Sequence, residues 1–288
     1  MSDRLDRLYE PQWAVGWAWA RVLWVVAATS QYGLDVLAIG DVWGTDDMLF
    51  TSGSYRLAEV VVVTPGWAVV WWASIMASIA VVAWGGRTTK AGLVAFLLSA
   101  GSWLAWEAVN VKAHDRLLFF ITLTMLMSPI DERGLVHKKR SPFARWTMLL
   151  MFCAAYGATG FHKALGEPTW WTDGSVLAHH LVRPFHGGHA FGVWLSTQGW
   201  LLPILTITAV LWECAFPFLV WFKRANVPLL LFGLVFHASL SLWMDVGPFA
   251  LVAWTAYPVL LHPERMHALH RWTMVRAGRA PRAPQGNP

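Results

Sequence analysis

Apolar residues run through the chain in eight blocks, each closed by a short polar or charged turn. The blocks cover residues 13–38, 67–84, 91–109, 116–129, 146–163, 200–222, 227–244 and 248–261. Most approach the ~20 residues that a helix needs to cross a bilayer. They predict an all-α, polytopic integral membrane helical bundle of about eight transmembrane helices. The fourth block is short for a full crossing, which predicts a tilted, extended or partly re-entrant helix. Two longer stretches, 39–66 and 164–199, separate the blocks as large loops. In the second, Val176, Leu177, Leu181, Val182 and Phe185 recur at helical spacing. That spacing predicts a short extra amphipathic helix on the outer surface. Residues 1–264 read as one transmembrane domain. Residues 265–288 read as a basic, disordered cytoplasmic tail ending in RAGRAPRAPQGNP.

Charge sets the direction of the blocks. Sixteen Lys and Arg fall in alternate turns: Arg4 and Arg7, Arg87 and Lys90, the run from Arg133 to Arg145, Lys223 and Arg224, and the C-terminal arginines. The opposite turns hold five: Arg56, Lys112, Arg116, Lys163 and Arg183. The positive-inside rule then places both termini in the cytoplasm and both large loops outside. Removing one block would scramble this alternation.

Composition agrees with a membrane chain. Hydrophobic residues make up 56% and charged residues 14% of 288, where soluble domains carry about 25% charged residues; the mean hydropathy is +0.45. Twenty-one tryptophans suit a chain with two membrane–water boundaries. The N-terminal MSDRLDRLYEPQWAVGW mixes acids with bases and has no small-residue cleavage site, so a retained first helix is expected. Cys153 and Cys214 fall inside predicted helices and are not expected to form a disulfide. The net charge of +5 sits in the turns, which argues for membrane topology and against nucleic acid.

Ionisable side chains inside apolar blocks mark functional sites or paired contacts. Arg21 in the first block and Glu213 in the sixth lie roughly 12–14 Å from the inner edge, counted at 1.5 Å per residue. Equal depth and opposite charge predict a buried structural pair. Pro217, four residues after Glu213, frees a backbone carbonyl there. Glu107, Asn110 and His114 share one face at the outer end of the third block. His237, Ser241 and Asp245 share another along the seventh. The fifth block ends His162–Lys163, and a lysine against apolar walls could serve as a base near neutral pH. His179, His180, His186 and His189 have no Cys or paired carboxylate beside them, so no metal is expected. Nucleotide-binding loops and serine-hydrolase elbows are missing from the sequence.

Three segments carry a resemblance: YGATGFHKALGEPTWWTDGSVL, WECAFPFLVWFKR and LLFGLVFHASLSLWMDVG, together with the turn NVKAHDRLL and the apolar run that follows it. Residues 13–261 resemble the membrane domain of the vitamin K-dependent gamma-carboxylase family, whose bacterial relatives are called HTTM proteins. The resemblance implies a lysine base, at Lys163, that deprotonates a reduced vitamin K-like naphthoquinone. It implies O2 as co-substrate, an epoxide as product, and a strong base that can remove a glutamate proton so that CO2 adds. His162, His237 and Glu213 would support the lysine, and Trp170, Trp171 and Gly174 would shape the pocket mouth. The carboxylases carry a large extramembrane region after their membrane helices, and few residues follow the last predicted helix here. Smaller members resemble the sporulation-delaying-protein maturation factor, which implies a secreted peptide as partner. Three functions are therefore expected in this order: a quinol-oxidising enzyme of the bacterial inner membrane, a peptide-maturation factor, and a lipid binder or small transporter.

Overall fold

The computed structural model describes residues 9–33, 65–106, 113–132, 134–166, 168–183, 189–244 and 246–278. Among the described residues the chain is nearly all helix, with a single pair of two-residue strands, β1 (Gln12–Trp13) and β2 (Lys139–Arg140). A helix stands on each of the eight apolar blocks: α1 (Val15–Tyr32), α2 (Pro65–Trp84), α3 (Thr89–Trp106), α4 (Ala113–Leu126), α5 (Phe143–Leu165), α9 (Leu201–Leu219), α10 (Lys223–Trp243) and α11 (Phe249–Leu260). Short helices α6 (Thr169–Thr172), α7 (Ser175–Val182) and α8 (Ala190–Ser196) precede α9, and α12 (Pro263–Arg276) closes the described chain.

Helices and membrane crossings are different quantities. Among the described residues three helices are long and apolar enough to cross a membrane: α2 from Gly66 onward, α9 and α10. The expected count of eight crossings is not supported on that measure. Polar residues interrupt several of the others, such as Arg21 in α1 and Arg145, His162 and Lys163 in α5. α4 and α11 are short, at 14 and 12 residues.

The described residues cluster into two compact units. The first comprises residues up to Ala144 with Leu251–Val259 and the residues from Pro263 onward. In α1, Trp17, Ala20, Trp24, Ala27 and Ala28 recur at helical spacing and are buried, which gives the helix one inward stripe. At its centre Trp24 is fully buried, donates to Thr122 Oγ1 at 2.8 Å, and meets Phe96 edge-on. Gly16 lets α1 approach α11 closely, since a Cβ there would lie 2.5 Å from Pro258 O. α2 starts on a proline, whose fixed φ suits a first helical position. It stops where Gly85 takes φ +80, in the region only glycine enters freely.

The C-terminal segment corrects the sequence reading. Residues 263–276 form α12, where disorder was expected from 265 onward. Pro263 and Glu264 suit a helix start and Arg276 its end, and Gly278 at φ +68 follows as the stop. The helix buries Pro263, Met266 and His270 and packs against α1. Its indole partners come from the N-terminal segment. Trp13 Nε1 donates to Glu264 at 3.1 Å, Trp13 stacks on His267 with centroids 3.8 Å apart, and Trp19 Nε1 donates to His270 Nδ1 at 3.3 Å.

Those contacts predict a pH dependence. Burial pushes both His267 and His270 below the ordinary imidazole range, with lesser contributions from nearby cationic groups. The unfolded chain therefore takes up these protons before the folded one does. Stability from this packing is complete above the unfolded value of about 6.5. It is lost as pH falls below that value towards the lower folded ones. A protonated His270 also has no acceptor at Nδ1 for Trp19. The protection of α12 amides, relative to their intrinsic exchange at each pH, should fall between pH 8 and pH 5 more than that of α3; equal changes in both helices would contradict this account.

The second unit runs from Arg145 to Ala250 with Leu260–His262. The helix expected from Val176–Val182 is present as α7, and Leu181 packs with Leu195 and Leu202 in a small buried cluster. Phe185 lies outside the described residues. α6 and α8 were not foreseen. Asn226 is buried and fully engaged: its Nδ2 donates to Val220 O and Leu260 O, and its Oδ1 accepts from His262 N. A buried amide satisfied in this way anchors the α9–α10 turn.

Candidate functional site

The candidate site grows from the contact of α5 with α9. Gly157 and Gly160 put two small residues on one face of α5. A Cβ at Gly160 would lie 2.7 Å from Cys214 N and 2.8 Å from Glu213 C, and one at Gly157 would lie 3.1 Å from Pro217 Cγ. The helices touch there backbone to side chain, the close approach that small residues permit. Less than one turn further along α5, Lys163 reaches the same stretch of α9. Its Nζ donates to both carboxylate oxygens of Glu213, at 2.7 and 2.8 Å. Glu213 is buried, with a side chain 7% exposed, while the Lys163 side chain is 21% exposed. Trp170 covers the ammonium with its ring centroid 5.0 Å from Nζ, an arrangement that favours a cation.

Glu213 thus takes Lys163 as its partner in place of the expected Arg21. Equal depth along two helices says nothing about which faces meet. Arg21 belongs to the first unit, where it lines a cavity formed by α1 and the turns after α2 and α4. The lysine is held by a carboxylate and an indole: the reading from apolar walls did not include either, whereas the resemblance had implied Glu213 and Trp170 beside it.

A second polar contact lies two turns earlier on the same stripe of α5. The Tyr156 hydroxyl and His237 Nε2 are 2.8 Å apart and buried. Trp212 and Phe216 of α9 meet the Tyr156 ring edge-on, and Phe236 and Phe249 pack against His237. Tyr156 was not singled out from the sequence, although its spacing of seven from Lys163 places both on one face. Trp212, beside Glu213, was missed for the same reason.

The other anticipated residues are dispersed. His162 is exposed. Trp171 donates its Nε1 to Ala164 O at 3.0 Å and folds the loop back onto the end of α5. Gly174 has φ +68, and a Cβ there would lie 2.6 Å from Leu202 C, so its role is to seat α7 on α9. The Ser175 N–H beside Asp173 holds that exposed carboxyl below its usual range and starts α7. Ser241 is half-buried one turn after His237, and its hydroxyl has no hydrogen-bond partner among the described residues. His114 belongs to the first unit, where it is buried 3.8 Å from Asp115, whose Oδ1 accepts from Gln31. Glu107, Asn110, Asp245 and His186 lie outside the described residues. Cys153 and Cys214 are both free thiols. Among the described residues no three of His, Cys, Asp and Glu are grouped as metal ligands.

Chemically, the Lys163–Glu213 pair holds one ionisable proton more than a bare carboxylate. It can accept a further proton as a unit, ending as ammonium and carboxylic acid. No family model, curated protein or solved structure matches the chain.

Proposed function

We propose that the chain is a membrane enzyme in which the Lys163–Glu213 pair acts as the base toward a lipid-soluble quinol. The observation that carries this reading is the two-pronged ion pair roofed by Trp170. A buried pair can take a proton from a phenolic hydroxyl held beside it, and the indole offers a flat apolar wall for an aromatic ring. The quinol would supply the reducing electrons with which O2 yields an epoxide, with or without coupled carboxylation of a glutamate by CO2. The resemblance of the segments around Lys163, Glu213 and His237 to the vitamin K-dependent gamma-carboxylase membrane domain supports the same reading through the same residues. We place the chain in a bacterial inner membrane with eight crossings and both termini in the cytoplasm, on the strength of the charge alternation. His237 and Tyr156 would hold the inner end of the pocket in one hydrogen-bonded arrangement. Membrane lipids surround the helices.

A second reading has one observation in its favour. Phe191 and Trp194 on α8 are 49% and 52% exposed and pack on each other. An apolar pair of this kind suits a secreted peptide, as a maturation factor would require. The test uses purified protein in detergent, supplied with naphthoquinols under oxygen, beside Lys163→Ala. Wild type should form epoxide, and the variant should form at least about 100-fold less, the usual contribution of a positioned base. Absence of epoxide from folded wild type with several naphthoquinols would leave the peptide reading in its place.

A further inference from the structure

The first unit takes no part in the proposed chemistry. Arg21 is the one basic residue within the first apolar helix, and among the described residues no acid or carbonyl pairs with it. It lines a half-open cavity of about 400 Å³, together with Ala18, Trp84, Gly85, Gly134 and Glu132. Pockets of this size hold small ligands or headgroups. Gly85 and Gly134 both take positive φ, so their walls are bare backbone. A Cβ on Gly85 would collide with Arg21 Nη1, so the guanidinium lies directly against that wall.

Among the described residues the one carboxylate on the lining is already paired. Glu132 accepts from Arg140 Nε at 2.7 Å, from Arg140 Nη2, and from Lys138 Nζ at 3.3 Å. Asp131 next to it pairs with Lys90 at 3.3 Å. Lys138 and Arg140 hold Glu132 from outside the lining, and among the described lining residues Arg21 is the one cation. At the rim, Trp84 is 89% exposed, as an indole at a membrane–water boundary would be.

We infer that this cavity binds a phosphate-bearing anion through Arg21. A guanidinium presents a planar fork of donors that matches phosphate oxygens in pairs. Basic pockets between helices at a membrane surface take anionic headgroups in this way. The phosphate could belong to a phospholipid or be free in solution, and the test separates the two.

Full-length protein in neutral detergent would be exchanged into mixed micelles of phosphatidylglycerol and phosphatidylcholine, and retained lipid counted by native mass spectrometry. Wild type should retain phosphatidylglycerol at least about tenfold over phosphatidylcholine, the order expected for one charge-assisted bidentate contact. Arg21→Gln should lower that ratio to near one, and Arg21→Lys should fall between. In a second arm, inorganic phosphate is added without lipid, and melting is followed for wild type and Arg21→Gln. A rise in Tm confined to wild type, with no lipid preference, would assign the site to free phosphate. Should Arg21→Gln not fold, Ala18→Leu fills the cavity and leaves Arg21 in place, and it should abolish the same preference. Equal lipid retention and equal phosphate response in wild type and variants would overturn the proposal.

Discussion

Gly160→Leu should unseat Lys163 from Glu213 and lower the melting temperature of the detergent-solubilised protein. The side chain added there meets Cys214 N and the Glu213 carbonyl carbon at 2.7 and 2.8 Å. Both are backbone atoms of α9, so no rotamer change can make room and one helix must move. Overpacking of this kind costs about 1–3 kcal/mol by itself, and movement of α5 also breaks a buried ion pair. Gly199→Ala is the control, because nothing lies within 4 Å of a Cβ at that position; it should stay within about 0.5 kcal/mol of wild type. Equal melting temperatures for the two variants would show that α5 and α9 are not clamped as described.

The second large effect is an asymmetry between the two halves of the pair. Lys163→Met strands the Glu213 carboxylate, which is 7% exposed, without a cation. Removing one partner of a buried pair costs about 3–5 kcal/mol. Glu213→Leu leaves an ammonium that is 21% exposed at the end of a helix, and such a side chain can swing toward water or headgroups. Its cost should be clearly smaller. The double variant should recover most of the loss, since two apolar side chains can replace an ion pair with little penalty. Thermal melts of all four proteins form a cycle whose coupling energy measures the pair. Equal costs for the two single variants, adding without coupling, would mean the contact contributes nothing to folding.

These variants also mark where sequence reading succeeds and where it stops. Helix positions were legible because long apolar runs have sharp polar ends: the block at 67–84 became Pro65–Trp84, and that at 227–244 became Lys223–Trp243. Membrane crossing was less legible, because polar residues such as Arg21 and Gln31 lie within a helix, α1, whose buried and exposed stripes are otherwise largely apolar. α12 was missed because its apolar residues are few and its composition basic, and only packing on Trp13 and Trp19 makes it a helix worth forming. The pairing of Glu213 was misassigned because depth is one coordinate and azimuth is another. The glycines at 157 and 160 held the missing information: two small residues on one face of α5 mark where a neighbour comes close, and Lys163 lies just beyond them. Tyr156 was hidden for the opposite reason. A tyrosine in an apolar helix is unremarkable until a histidine on another helix meets it.

α5 also works as a ruler. Tyr156 and Lys163 stand seven residues apart on it, about 10.5 Å along its axis at 1.5 Å per residue. That span sets the Tyr156–His237 contact about two helical turns from the Lys163–Glu213 pair. The spacing therefore fixes the two contacts in register, and a one-residue insertion between Tyr156 and Lys163 would swing the two groups onto different faces of the helix.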